Sequence, residues 1–338
     1  MRKGVLSVED LHVTLPVPAG SLRAVQGVSF HVDRGETLCI VGESGCGKSL
    51  TALAIMGLLP TQAERKAARL ELEGRNLTNL SERAMSDIRG NRMAMIFQEP
   101  MTSLNPAYSI GDQLAEALRR HKRASYRDAR ARTIELLERV GITAAASRLK
   151  QYPHQLSGGL RQRVMIAMAL MCQPALILAD EPTTALDVTI QAQILHLLAR
   201  LQREFAMGLV LITHDLGIVA RVATRVVVMY AGEVVETGSA SAVFSTPRHP
   251  YTRGLLACIP IPGRTRRGAP LGTIPGLVPS LIGNIEGCHF ARRCPHAVDA
   301  CRAAPVPLQS AADDHHVRCI RHRELTAGVL SGPPVAVA

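Results

Sequence analysis

The chain has 338 residues, 47% hydrophobic and 20% charged, with a formal net charge of +11. That length holds one large core plus a smaller unit, because single cores stop growing at about 250 to 300 residues, and the composition excludes wholesale disorder. No apolar run approaches the roughly 18 residues that cross a bilayer, and residues 1–25 lack the basic start, apolar middle and small-residue cleavage site of a secretory leader, so a cytosolic chain is expected.

In chain order, the first strong signal is the apolar run Leu38–Val41 ahead of Gly42, a buried strand. Gly42-Glu43-Ser44-Gly45-Cys46-Gly47-Lys48-Ser49 follows, and Ser49–Leu59 then reads as a helix, interrupted by Gly57 and stopped by Pro60. Residues 99–158 change character: Pro100, Asn105 and Pro106 open a loop, and the segment to about Val140 is helical and charged, a candidate helical insertion. Its basic stretch, Arg119, Arg120, Lys122, Arg123, Arg127, Arg130 and Arg132, has no glycine or proline to break a helix and reads as a solvated face.

Two further buried strands, Leu176–Ala179 and Leu209–Ile212, end on Asp180-Glu181 and on Thr213-His214, with a helix at Ile190–Phe205 between them. Val226–Met229, the turn Ala231-Gly232 and Glu233–Glu236 read as a hairpin. The pattern is α/β, with ligand groups expected at the carboxyl ends of strands. The main domain is expected to span 1–245. From 246 to 338 the chain carries prolines at 247, 250, 260, 262, 270, 275 and 279, a cysteine-containing unit at 287–322, and a frayed end at Ser331–Ala338. Eight cysteines in a long chain of this kind read as free thiols or metal ligands.

The segment Gly42–Ser49 fits the phosphate-loop pattern, and its strand–loop–helix context is what the motif requires. Glycines let backbone amides converge on phosphate oxygens at a helix start, Lys48 supplies charge to the β and γ phosphates, and Ser49 can ligate magnesium. Of Asp180-Glu181, one carboxylate can hold magnesium while Glu181 polarises an attacking water; His214 can contact the γ-phosphate and orient Glu181 or water. Leu156-Ser157-Gly158-Gly159-Leu160-Arg161-Gln162-Arg163 is a second phosphate-type helix start, with Ser157 as cap. One nucleotide needs only one such start, so the second is expected to serve a nucleotide on a partner subunit.

This order of motifs resembles the ATP-binding cassette ATPases over residues 5 to about 245. The resemblance implies a RecA-like P-loop core with an antiparallel β portion, a helical subdomain at about 99–158 and a small C-terminal extension. It implies Gln98 as a Q-loop residue sensing magnesium and the γ-phosphate, Ser157, Gly158 and Gly159 as the signature that faces the partner's ATP, Ala185-Leu186-Asp187 as the D-loop, Glu181 as general base and His214 as switch histidine. Two departures stand out: Leu160 occupies the signature's usual glutamine position, and residues 13–25 contain no aromatic to stack on adenine, leaving an aliphatic such as Leu15.

Val243–Arg253, Ile274-Pro275-Gly276 and Gln98–Pro106 resemble the oligopeptide and dipeptide importer branch. That likeness implies a motor subunit at the cytoplasmic face of the cell membrane. Its partners would be a second and different ATPase subunit, two transmembrane permease subunits and, indirectly, an extracytoplasmic binding protein, with ATP and Mg2+ as cofactors. Nickel and some sugars travel through close relatives of that branch. The cysteine unit, with Cys288, Cys294, Cys301 and Cys319 separated by 5, 6 and 17 residues, also resembles the branch. It implies a [4Fe-4S] cluster, with structural zinc or unligated thiols as alternatives. Cys39, Cys46, Cys172 and Cys258 read as packing residues, Cys46 being open to thiol reagents. A soluble cassette ATPase acting on nucleic acid or ribosomes is the first competing reading. It is disfavoured because soluble members usually carry two cassettes and this chain has one phosphate loop, so no nucleic-acid partner is expected. The second, a metal-binding regulator, would leave Lys48 and Glu181 idle.

Overall fold

The apolar runs at 38–41, 176–179 and 209–212 are strands, each extended by one or two residues. The structure is a computed structural model that describes residues 4–99, 103–184, 186–259 and 272–326. Its strands are β1 (Leu6–Val17), β2 (Gly20–Val32), β3 (Thr37–Val41), β4 (Glu64–Lys66), β5 (Arg69–Leu72), β6 (Arg75–Asn76), β7 (Met93–Ile96), β8 (Leu176–Asp180), β9 (Gly208–Thr213), β10 (Arg225–Tyr230), β11 (Glu233–Ser239), β12 (Gln309–Ala312) and β13 (His315–Val317). The chain divides into two compact units: Met1–Leu6, His31–Thr37 and Glu71–Ile212 form one, and Ser7–Phe30, Leu38–Leu70 and Thr213–Ala338 the other.

In the first unit, β7, β8 and β9 run parallel, with Met93 opposite Leu176 and Leu176 opposite Gly208. Every residue of β8 and β9 is buried, which is why both read as unbroken apolar runs. The helix Gly158–Leu170 buries Val164, Ile166, Ala167 and Leu170, and the helix Val188–Phe205 buries Ile194, Leu198 and Leu201 at helical spacing. The insertion is helical as expected, at Ile110–Lys122, Tyr126–Arg139 and Ala145–Arg148. Its basic stretch is nevertheless two helices. Arg123 takes a left-handed φ of 53°, and the Ser125 hydroxyl accepts from the Asp128 amide to start the next helix, so a serine cap breaks the run without glycine or proline.

In the second unit the strand order is β12-β13-β11-β10-β3. β3 lies parallel to β10, Leu38 opposite Arg225, while β10 and β11 form the expected hairpin across Ala231-Gly232, both left-handed at φ 46° and 84°. The C-terminal hairpin β12–β13 adds to β11, with Val317 opposite Glu236. The long strands β1 and β2 alternate buried and exposed positions, and β4 pairs with β1 at His12 and Lys66. The helix after β3 spans Lys48–Met56, ending earlier than expected because Gly57, left-handed at φ 64°, caps it through its amide. Pro100–Thr102, Ala185, the prolines at 260, 262 and 270, and Ser331–Ala338 lie outside the described residues. No helix among the described residues is long and apolar enough to cross a membrane.

Candidate functional site

In the second unit, β3 delivers Gly42 to the loop and the helix Lys48–Met56 leaves it. Gly42 sits at φ 151°, where a Cβ would stand 2.2 Å from the Met229 carbonyl oxygen, so only glycine fits. The Lys48 side chain is 5% exposed, and its ammonium donates to the Gly42 and Glu43 carbonyl oxygens, each at 2.9 Å. Glu43 is committed at every polar group. Its amide donates to the Tyr251 hydroxyl at 2.8 Å, its carbonyl accepts from Lys48, and its carboxylate takes both ends of the Arg293 guanidinium at 2.6 and 3.0 Å. The Glu43 amide is therefore spent inside the protein, which removes it from the set of backbone donors expected to face phosphate.

Behind the loop, Tyr230, Tyr251 and Phe290 form an aromatic cluster with ring centroids 4.6 to 5.4 Å apart. Arg293 lies over the Tyr230 ring at 5.7 Å, and burial pushes the Tyr251 phenol well above its ordinary range. Cys46 corrects an expectation: it is fully buried and burial raises its thiol pKa, outweighing the nearby Lys48 charge, so it is closed to thiol reagents. His214 follows β9 and is exposed, and Asp215 caps the next helix by accepting from the Ile218 amide at 3.2 Å.

In the first unit, Asp180 closes β8 and is 5% exposed. Glu181 turns the chain at a left-handed φ of 44°, held by its amide's bond to the Ile212 carbonyl at 3.0 Å. A non-glycine residue held there is strained, a common feature of functional sites. Its carboxylate accepts from Gln98 Nε2 at 3.3 Å and from the Thr184 hydroxyl at 3.0 Å. The structure thus brings Gln98 to Glu181 and adds Thr184, contacts that no sequence signal marked.

The signature helix begins as read, with Ser157 Oγ accepting from the Leu160 amide at 3.4 Å. Leu160 lines a small cavity with Ile110, Leu137, Ile142, Leu156 and Val164, so this position packs against the helical insertion. A Cβ on Gly158 would meet Leu186 at 3.4 Å and one on Gly159 would meet Ile190 at 3.1 Å, so the two glycines let the signature lie close to the segment that carries Asp187. Asp187 caps the helix Val188–Phe205, accepting from the Ile190 amide at 2.9 Å.

In the C-terminal extension, Cys288, Cys294, Cys301 and Cys319 line one cavity of about 20 Å³ with His249 and Phe290. Burial is the main cause that pushes Cys288 up to about 11 and Cys319 up to about 12, with the neighbouring thiols adding to both. The donor chemistry suits a thiolate-bound group, yet among the described residues no group of three or more His, Cys, Asp or Glu side chains is arranged to hold a metal ion. The expected ligand set is therefore four neighbouring thiols around a cavity rather than a closed coordination shell.

Comparison with known proteins agrees with this geometry. The family model for ABC transporters matches residues 25–184, and that for the oligopeptide/dipeptide transporter C-terminal region matches residues 235–301. The chain belongs to the ATP-binding cassette family of transporter ATPases, and its fold is the P-loop ATPase fold of that family. It is 49% identical over 330 residues to the dipeptide transport ATP-binding protein of Bacillus subtilis, covering 97% of this chain and 98% of the relative. A Brucella ovis protein, provisionally named for peptide import, is 52% identical over 336 residues, covering 96% and 99%. Among solved structures, the dimeric post-hydrolysis state of an ATP-binding cassette with ADP and phosphate matches at TM-score 0.62 and 28% identity, covering 70% of this chain and 98% of that one. ATP hydrolysis coupled to transport is the activity of this family.

Proposed function

We propose that this chain is the ATP-hydrolysing subunit of an importer of dipeptides or oligopeptides, working beside a second cassette and two membrane permeases at the cytoplasmic face. The relatives of about 50% identity, named for dipeptide and peptide transport, carry that reading together with the match of residues 235–301. Residues 1–245 would form the nucleotide-binding domain, with the helical subdomain at about 99–158, and 246–338 the extension.

In the proposed mechanism, Gly42, Ser44, Gly45, Cys46, Gly47 and Lys48 cradle the ATP phosphates, while Ser49, Gln98 and Asp180 hold Mg2+. Glu181, tethered by Gln98 and Thr184, takes the proton of the attacking water. His214 steadies the γ-phosphate, and Ser157, Gly158, Gly159 and Asp187 serve the partner's nucleotide. Cys288, Cys294, Cys301 and Cys319 are the proposed ligands of a [4Fe-4S] cluster, supported by their shared cavity. Bound there, the cluster would clip the extension together. Glu181→Gln tests the central role: ATP still binds and turnover falls by about a thousandfold, the scale of a lost general base. Normal turnover would remove Glu181 from that role.

A further inference from the structure

The C-terminal extension reaches back to the phosphate loop through Arg293 and Tyr251, and we propose that Arg293 is a positioning residue of the ATP site that neutralises the Glu43 carboxylate so the loop can accept a polyanion. A carboxylate at the second position of an anion-binding loop is a liability, because a uniform negative charge there opposes the triphosphate. Arg293 answers it with a bidentate pair, the strongest geometry for this match, on a side chain only 4% exposed. The guanidinium is itself fixed from the other side, donating to the Ile274 and Pro275 carbonyl oxygens at 3.0 and 2.9 Å and lying over Tyr230 and Phe290. Glu43 also receives a second anchor from the extension's first helix, Pro250–Ala257, through the Tyr251 hydroxyl.

Loss of the guanidinium leaves Glu43 as an uncompensated anion beside the nucleotide, whereas a mutation that only loosened the fold would not depend on the charge of Glu43. The proposal rests on residues 42–49 being the phosphate loop, so Lys48→Ala serves as the control for that reading. If Lys48→Ala leaves ATP affinity intact, the loop reading fails. If it abolishes binding, Arg293 is judged by its own variants.

The experiment measures the Kd of a fluorescent ATP analogue with Mg2+ on the full-length chain, and the KM and kcat of phosphate release. Arg293→Gln raises Kd and KM about tenfold, with kcat within about threefold, because Arg293 touches no reacting atom. Glu43→Gln in the Arg293→Gln background brings the Kd back to within about threefold of the unsubstituted protein, a coupling that the double-mutant cycle isolates. Should Arg293→Gln fail to fold, Arg293→Lys gives the same reading. It keeps the charge but loses the fork, and raises Kd about threefold, again reversed by Glu43→Gln. An unchanged Kd in the single variant, or a raised Kd that persists in the double variant, overturns the proposal.

Discussion

Gly47 offers a direct test of how tightly the phosphate loop is built. It precedes the helix at φ 97° and ψ 0°, and a Cβ there would lie 2.3 Å from the Ala24 carbonyl oxygen, a backbone atom with no rotamer to yield. Gly47→Ala therefore carries two costs. A left-handed backbone costs a non-glycine residue about 1 to 2 kcal/mol. The clash also forces the loop or the β2 backbone to retreat by about 0.7 Å to reach the 3.0 Å that real Cβ atoms respect. Displacement on the 1 Å scale costs about a hundredfold in rate when groups must be aligned, so the steady-state rate of phosphate release should fall at least a hundredfold. Gly45→Ala separates the two costs, since Gly45 is left-handed at φ 79° but a Cβ there meets nothing within 4 Å. Its rate should fall by about thirtyfold at most, the kinetic equivalent of the strain alone. Thermal unfolding of both variants shows whether the loss is local. Equal activities for the two variants would refute the steric argument.

Glu236 is fully buried and accepts from the Arg248 and His249 amides at 2.7 and 2.9 Å and from His315 Nε2 at 2.7 Å. Glu236→Leu strands these donors at about 1 to 3 kcal/mol each, so the thermal midpoint of the folded protein should drop sharply; a midpoint within 2 °C or so of the unsubstituted value would count against this network. His249 is held neutral, down at about 4, chiefly by burial, and its Nδ1 accepts from the Tyr251 amide at 3.0 Å; the Glu236 charge and a backbone hydrogen bond to Arg318 oppose this shift, and the Arg318 charge adds to it. Its folded value lies below its unfolded one of about 6.5, so the unfolded chain takes up a proton first. Stability is intact above about pH 6.5 and is lost as the pH falls toward 4, by about 3 kcal/mol. Urea midpoints at pH 7 and pH 4.5 check this, and a His249→Asn variant whose acid sensitivity matches the original would assign the loss elsewhere. The proposed cluster is tested by iron and sulfide analysis of anaerobically purified protein: if the four cysteines hold it, about four iron atoms per chain are found and Cys288→Ser loses them; metal-free protein would leave the cavity as packed thiols.

Much of the site was legible because its signals are local. The unbroken apolar runs before Gly42, Asp180 and Thr213 become strands because a strand covered on both faces has no polar side to show. The helix start at Ser157 was legible because a cap is chosen within three residues of the amide it serves; Asp187 caps the helix Val188–Phe205 by the same rule, although the apolar spacing marks that helix only from Ile190. Local signals also misled. The basic stretch has no helix breaker, yet Ser125 and its Asp128 partner outcompete continuation at Arg123. Gly57 ends its helix before Pro60 because a left-handed glycine supplies the terminating amide geometry.

The sequence by itself determined the phosphate loop, the order of its companion motifs and the strand ends that present them, since each is set by neighbours within a few residues. Tertiary structure alone decided what those residues touch. The pair Gln98–Glu181 spans 83 positions, Glu43–Arg293 spans 250, and His315–Glu236 joins the C-terminal hairpin to β11 across 79. No local periodicity encodes such pairs. They form where closing a long loop is repaid by pairing a donor with an acceptor at its two ends, a condition met only in three dimensions.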